Sequence, residues 1–276
     1  MIELNNISFT YPNGRKALSG INGRLESGMY LLAGENGAGK TTLLHAIAGL
    51  VRPQDGSCVV NGVKSTTDNP DEMGHIFLLE ENMYVPGKSI RNFAAIHTPF
   101  YPEFSEELFT KNLQAFGQSG LEPLRSLSLG NLKKAHLAYV LALGVDLLLL
   151  DEPTNALDIE GREIFRKILS RSMRPDSTVI ISTHNVSDLE KLFDGALMMK
   201  GSRLLFAGTD EDVTSRLAFE YASDRDDEAL YSDPQGTRYL NIYPSSGDEE
   251  TRIDWKALYM ALHSDNSQKI IDQLCK

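Results

Sequence analysis

The stretch Ala33 to Leu50, AGENGAGKTTLLHAIAGL, sets three glycines just before a lysine and a threonine, and that grouping can do chemistry on phosphate. Gly34-x-x-x-x-Gly39-Lys40-Thr41 meets the phosphate-loop pattern. Missing side chains at Gly34, Gly37 and Gly39 let backbone N–H groups close around phosphate oxygens, and a helix opening near Lys40 turns its positive end toward them. The cradle is expected from Gly34, Asn36, Gly37, Ala38, Gly39, Lys40, Thr41 and Thr42, with Lys40 on the β- and γ-phosphates and Thr41 on Mg²⁺. A second group lies far downstream, where VDLLLLDEPTNALD ends an apolar run in two carboxylates, Asp151 and Glu152. Asp151 is placed to hold Mg²⁺ through water. Glu152, one residue on, is placed to polarise the water that attacks a γ-phosphate, so the pair points to hydrolysis as well as binding.

Both groups need elements that deliver them to one place. MYLLA, ahead of the glycine loop, reads as a buried strand, and the periodic apolar residues after Lys40 read as a helix. The Leu147–Leu150 run is that of a central strand in a parallel sheet, which brings acids to its C-terminal edge. With 276 residues the chain can bury a sizeable core and carry an appendage. Two cysteines far apart, Cys58 and Cys275, have no metal or redox spacing, and no leader is read at the N-terminus, so a cytoplasmic setting is expected. The longest apolar stretch, AYVLALGVDLLLL, contains Asp146 and falls short of the roughly 20 residues a spanning helix needs. A net charge of −11 argues against nonspecific nucleic-acid binding, and no nucleic-acid partner is expected.

LSLGN, Leu127 to Asn131, precedes the acidic pair and opens a run with helical spacing. With that signature in place, the chain resembles the nucleotide-binding subunits of ABC transporters. The resemblance implies ATP and Mg²⁺ as cofactors and places Ser128 and the Gly130 amide on a γ-phosphate. The usual LSGGQ is altered at Leu129 and Asn131, while the serine and second glycine remain. NALD, Asn155 to Asp158, resembles the loop that crosses between two subunits. VIISTHN ends at His184, which resembles the switch histidine that contacts the γ-phosphate and steadies the attacking water. SFTYPNG supplies Tyr11, whose ring resembles the adenine-stacking aromatic of the family. Where the family commonly has a glutamine that contacts Mg²⁺, the alignment of HIFLLEENMYV puts Glu80, with Glu81 as the alternative; a carboxylate there can still ligate the metal.

The fold expected is α/β: a P-loop NTPase core over residues 1–208, with an antiparallel β subdomain and a helical insert at about 89–143 that contains the signature. Residues 209–276 are expected to form a small α+β appendage. In it ALYSDPQGTRYLNIYP reads as a hairpin turning at Asp-Pro-Gln-Gly. Trp255, Leu258, Tyr259 and Leu262 share one helical face, to be covered by the main domain or across a dimer, with a slight lean to the dimer because small appendages are commonly stabilised by oligomerisation. The function implied by the resemblance is ATP hydrolysis coupled to transport, with a lean toward export. It implies a separate transmembrane permease and a second ATP-binding subunit, identical or not, on the cytoplasmic face of a membrane. The alternative is a non-transport ABC ATPase acting on a macromolecular partner.

Overall fold

The computed structural model describes residues 1–66, 74–83, 85, 87–184, 186, 189–245 and 252–275. The chain opens with two long antiparallel strands, β1 (Ile2–Thr10) and β2 (Lys16–Leu25). Apolar residues point inward at Ile2 and Leu4 and again at Ile7, one position out of phase. A register shift between Leu4 and Ile7 accounts for this, and Asn6, at φ 51°, supplies the left-handed residue that asparagine tolerates.

After β3 (Gly28–Gly34) and α1 (Lys40–Ile47), the chain returns to the first sheet as β4 (Asp55–Val60) and β5 (Val63–Lys64). That sheet has the order β2-β1-β4-β5. Its inner face packs Ile2, Ile7 and Ile21 against Leu43, Leu44 and Ile47 of α1.

The larger sheet has the order β10-β9-β3-β8-β7-β6. Its strands β6 (Ile76–Leu79), β7 (Leu147–Asp151), β8 (Thr178–Ser182) and β9 (Gly195–Lys200) run parallel to β3, and β10 (Arg203–Thr209) closes the edge antiparallel. Every residue of β7 and β8 is buried, as sheets covered on both faces require. Because β3, β8 and β7 are neighbours, the residues at their C-terminal ends fall side by side.

Between β6 and β7 lie the helices of the insert: α2 (Ile90–His97), α3 (Glu106–Ala115) and α4 (Leu129–Val140). Each is capped by a serine, Ser89, Ser105 or Ser128, whose side chain accepts a first-turn N–H. Phe109, Leu113 and Phe116 are buried, and α5 (Ile159–Ser172) starts from an Asp158 cap.

From Thr209 on, a capping box starts the short α6 (Asp210–Thr214), and a three-stranded sheet follows in the order β11-β13-β12. Its strands are β11 (Leu217–Ala222), β12 (Tyr231–Gln235) and β13 (Arg238–Pro244). The expected hairpin forms, but its turn sits at Gly236-Thr237, since Gln235 pairs with Arg238 and Gly236 takes φ 65°. Pro234 therefore lies inside β12, which is tolerable because β12 is an edge strand. Helices α7 (Trp255–His263) and α8 (Ser267–Leu274) complete the described chain. Trp255, Leu258, Leu262 and Ile270 are buried in one core with Ala196, Met198 and Phe206 of the larger sheet. The lean toward a dimer is corrected here: Trp255, Leu258 and Leu262 of this face are covered within the same chain, and Tyr259 is half-buried.

Candidate nucleotide-binding and hydrolysis site

The loop between β3 and α1 curls because glycine is the residue that fits it. Gly39 has φ 105°, and a Cβ there would stand 2.3 Å from the Ala17 carbonyl oxygen. Lys40 is buried, and its Nζ donates to the carbonyl oxygens of Gly34 at 2.8 Å and Glu35 at 3.3 Å. Its ammonium is thus held within the loop that it must serve. Thr41 Oγ1 donates to Asp151 Oδ2 at 2.7 Å, joining the start of α1 to the end of β7. Ser182 Oγ donates to the other oxygen of Asp151, so the carboxylate is fixed from both sides.

Glu152 follows with φ 46°, a strained value for a side chain of its size. Its N–H is anchored on Ser182 O and Ser182 Oγ, both at 3.1 Å. The turn sets its carboxylate Oε2 2.9 Å from His184 Nδ1. Glu152 is buried, with its side chain 10% exposed, while the His184 side chain is 61% exposed. A carboxylate oriented by an imidazole beside a phosphate loop can accept a proton from an attacking water.

These groups surround a cavity of about 310 Å³ lined by Tyr11, Arg15, Asn36, Gly37, Gly39, Lys40, Thr41, Thr42, Glu81, Asp151 and Glu152. Tyr11 leaves the end of β1 and shares a 2.9 Å hydrogen bond with Thr42 Oγ1 through its hydroxyl, its ring edge-on to Phe9. Replacing Tyr11 by Ala is expected to weaken ATP binding severalfold, since a stacked ring contributes on the order of 1 kcal/mol. Tyr11→Phe keeps the ring and is expected to bind nearly as the parent. Equal losses in both, measured by fluorescent-nucleotide titration, would show that the hydroxyl and not the ring carries the contact.

Glu80 does not take the place expected of it. It sits just past the end of β6, is exposed, and its Oε1 pairs with His45 Nε2 at 2.8 Å on α1. Glu81 lines the cavity instead, with Oε1 accepting from Asn155 Nδ2 at 2.7 Å. Neighbouring residues leaving a strand point to opposite sides, so a one-residue change of alignment exchanges the two. Arg15, which the sequence reading missed, also lines the cavity and donates from Nη2 to Gly37 O at 3.3 Å. No motif spacing marks it.

Ser128 and Gly130 lie outside this cavity. Ser128 is exposed and caps α4, and a Cβ on Gly130 would come 2.8 Å from the Ala156 carbonyl oxygen. The first turn of α4 therefore lies against the loop after Glu152, and neither residue lines the chain's own cradle. His184 borders a second cavity, of about 510 Å³, shared by Glu35 and Asn36 of the loop with Lys256, Tyr259 and Met260 of α7.

For Mg²⁺, the observation that tests the fit is the Thr41 hydroxyl against the Asp151 carboxylate at the mouth of the loop. Magnesium takes one or two protein oxygens and completes its shell with water and phosphate, which this pair allows. Among the described residues no group of three or more His, Cys, Asp or Glu forms a self-sufficient metal cage.

Residues 4–155 match the family model described as "ABC transporter". The energy-coupling factor transporter ATP-binding protein EcfA of Methanocaldococcus jannaschii is 31% identical over 226 residues, covering 78% of this chain and 81% of the relative. EcfA2 of Methanospirillum hungatei is 30% identical over 226 residues, and there the match spans 78% of this chain and 57% of the relative's length. In fold, the chain is similar to a dimeric ATP-binding cassette in a post-hydrolysis state with ADP and Pi, at TM-score 0.64, 22% identity, and coverage of 76% of this chain and 98% of that one. It is also similar to cbiO1 of Clostridium perfringens, part of the ABC transporter complex cbiONQ, at TM-score 0.61, 24% identity, and coverage of 77% and 89%. A phosphate loop, an acidic strand end and a histidine on adjoining strands, together with a family match over more than half its length, show that the chain belongs to the ABC transporter family, as an ATP-hydrolysing subunit.

Proposed function

We propose that this chain is the energy-coupling ATPase of a membrane transporter, working as one of a pair of cassettes, identical or not, on a separate transmembrane permease. The observation that carries the hydrolytic part of the reading is the Glu152–His184 contact of 2.9 Å at the edge of the phosphate-loop cavity. ATP would bind with its adenine on Tyr11 and its phosphates in the Gly34–Thr42 loop. Lys40 would leave the Gly34 and Glu35 carbonyls for the phosphate oxygens. Thr41 and Asp151 would hold Mg²⁺, which neutralises phosphate charge when bound. Glu152 would take the proton of the attacking water, and His184 would hold that carboxylate and the γ-phosphate in line.

Ser128 and Gly130 do not line the chain's own cradle, which supports assigning them to the γ-phosphate of a second copy. The relatives named as energy-coupling factor ATP-binding proteins, and cbiO1 as part of a transporter complex, support the permease. They also move the emphasis from export to energy coupling of that type. Residues 1–208 are read as the catalytic cassette and residues 209–276 as an appendage that braces it. Among the described residues no helix is long and apolar enough to cross a membrane. Peripheral placement on the cytoplasmic face follows from the permease reading.

Affinity capture of the full chain from detergent-solubilised native membranes tests this. The expected result is one polytopic membrane protein recovered in fixed ratio and stimulating ATP hydrolysis. Recovery of a ribosomal or other soluble assembly in its place would favour the non-transport alternative.

A further inference from the structure

Helix α4 carries a buried charge with no part in the steps above. Among the described lysines and arginines only Lys40 and Lys133 are buried, and Lys133 is the deeper, at 2% exposure. An ammonium has three N–H donors and is costly to bury without partners. Lys133 Nζ donates to the Glu81 carbonyl oxygen at 3.4 Å. Burial pushes this ammonium below its ordinary pKa, and the carboxylates of Glu81, Asp151 and Glu152 pull it back up. Those three carboxylates line the nucleotide cavity. Lys133 therefore stands behind its acidic wall.

The surrounding contacts tie α4 to both acid-bearing loops. Lys133 holds the Glu81 backbone, the Glu81 carboxylate accepts from Asn155, and Lys134 Nζ meets Asp158 Oδ1 at 3.0 Å. Three carboxylates on one wall repel one another, and a cation behind them offsets that repulsion without entering the cavity. A neutral side chain could fill the same space but could not supply the charge.

We propose that Lys133 is a positioning residue of the hydrolytic site, holding the Glu81 loop by its carbonyl and supplying the positive charge that lets Glu81, Asp151 and Glu152 stand together. The proposal rests on the hydrolytic reading above. It makes α4 serve two sites, its Ser128 end directed at a partner's nucleotide and Lys133, farther along, at the chain's own.

The test compares the full chain with Lys133→Met and Lys133→Gln, which remove the charge, and Lys133→Arg, which keeps it, after thermal melts have verified folding. With the charge gone, the wall is more negative, so the Mg²⁺ concentration at half-maximal fluorescent-ATP binding should fall by roughly fivefold or more. The acids should also lose register, lowering kcat by roughly 10- to 100-fold with KM for ATP little changed. Nucleotide binding in EDTA should be weaker than the parent's, because the same added negative charge repels metal-free ATP, and Lys133→Arg should restore the parent's behaviour in both conditions. Charge-removed variants with parental metal dependence and kcat would overturn the proposal and leave Lys133 as packing. If Lys133→Met does not fold, Lys133→Gln makes the same comparison. Should the parent chain bind but not hydrolyse ATP, the hydrolytic reading fails, whereas the metal dependence of binding still decides whether Lys133 sets the charge of the wall.

Discussion

Glu152→Gln is expected to bind ATP with the parent's affinity, to lose turnover by about 10²- to 10⁴-fold, and to accumulate as an ATP-bound dimer. The substitution keeps the shape of the side chain and removes the basic oxygen. The backbone turn should survive, because it is anchored by Ser182 O and Oγ on the Glu152 N–H and needs no carboxylate. His184 loses a charged partner at 2.9 Å but can still bond the amide. Binding should be untouched because the phosphates and metal are assigned to Lys40, Thr41 and Asp151, none of which depends on the Glu152 carboxylate. Lys40→Ala should fail the other way, losing nucleotide affinity itself, since it removes the ammonium now shared by the Gly34 and Glu35 carbonyls. Steady-state phosphate release and size-exclusion chromatography with ATP separate the two. A Glu152→Gln chain hydrolysing near the parental rate would transfer the base to another group, and unchanged ATP affinity in Lys40→Ala would undo the phosphate-loop assignment.

The contrast between these two variants shows what the sequence could carry. The loop and the acidic pair were legible because local chemistry dictates both: glycine where no Cβ fits, as at Gly39, and a fully apolar run where a strand is covered on both faces. The parallel-sheet character of the run was legible but the strand order was not: β3, β8 and β7 lie side by side in the structure, and this adjacency puts Thr41 against Asp151 and Glu152 against His184. Glu80 and Glu81 were not separable by the same logic. Two acids in succession at a strand end differ only in which side they face, and the partners that distinguish them, His45 on α1 for Glu80 and Asn155 for Glu81, lie far away in sequence. Lys133 was hidden for a related reason. In LSLGNLKKAHL two adjacent lysines look alike, yet Lys134 meets Asp158 while Lys133 is enclosed behind the acids. The hairpin turn slipped because proline is a turn signal only where its missing N–H is not tolerated in a strand, and the edge position of β12 tolerates it.

Removing the appendage, or emptying its core contact, is expected to cost stability and to leave a dimer's affinity nearly unchanged. Trp255 is 1% exposed and packs, with Leu258 and Leu262, into the core that also holds Ala196 and Met198 of β9. The start of α7 is tied down as well, since Glu190 Oε1, on the segment after His184, accepts the Trp255 N–H at 3.0 Å. Arg216 donates to the Leu274 carbonyl oxygen at the far end of α8, so both ends of the helical pair are fastened to the same chain. Trp255→Ala should therefore lose roughly 3–5 kcal/mol, the usual cost of emptying a buried tryptophan site. At about 2–4 °C per kcal/mol for a chain of this size, the melting temperature should drop by roughly 6–20 °C. Ending the chain after Gly208 should lower it further and raise binding of a hydrophobic dye, because the face of β9 and Phe206 loses its cover. Differential scanning calorimetry of the parent, Trp255→Ala and the truncated chain reads the loss. Sedimentation of the same set in the Glu152→Gln background with ATP reads the dimer. A truncated chain that melts with the parent but no longer pairs would mean that the appendage bridges two copies, and Trp255→Ala, which keeps the chain's length, decides the matter if the truncated form does not fold.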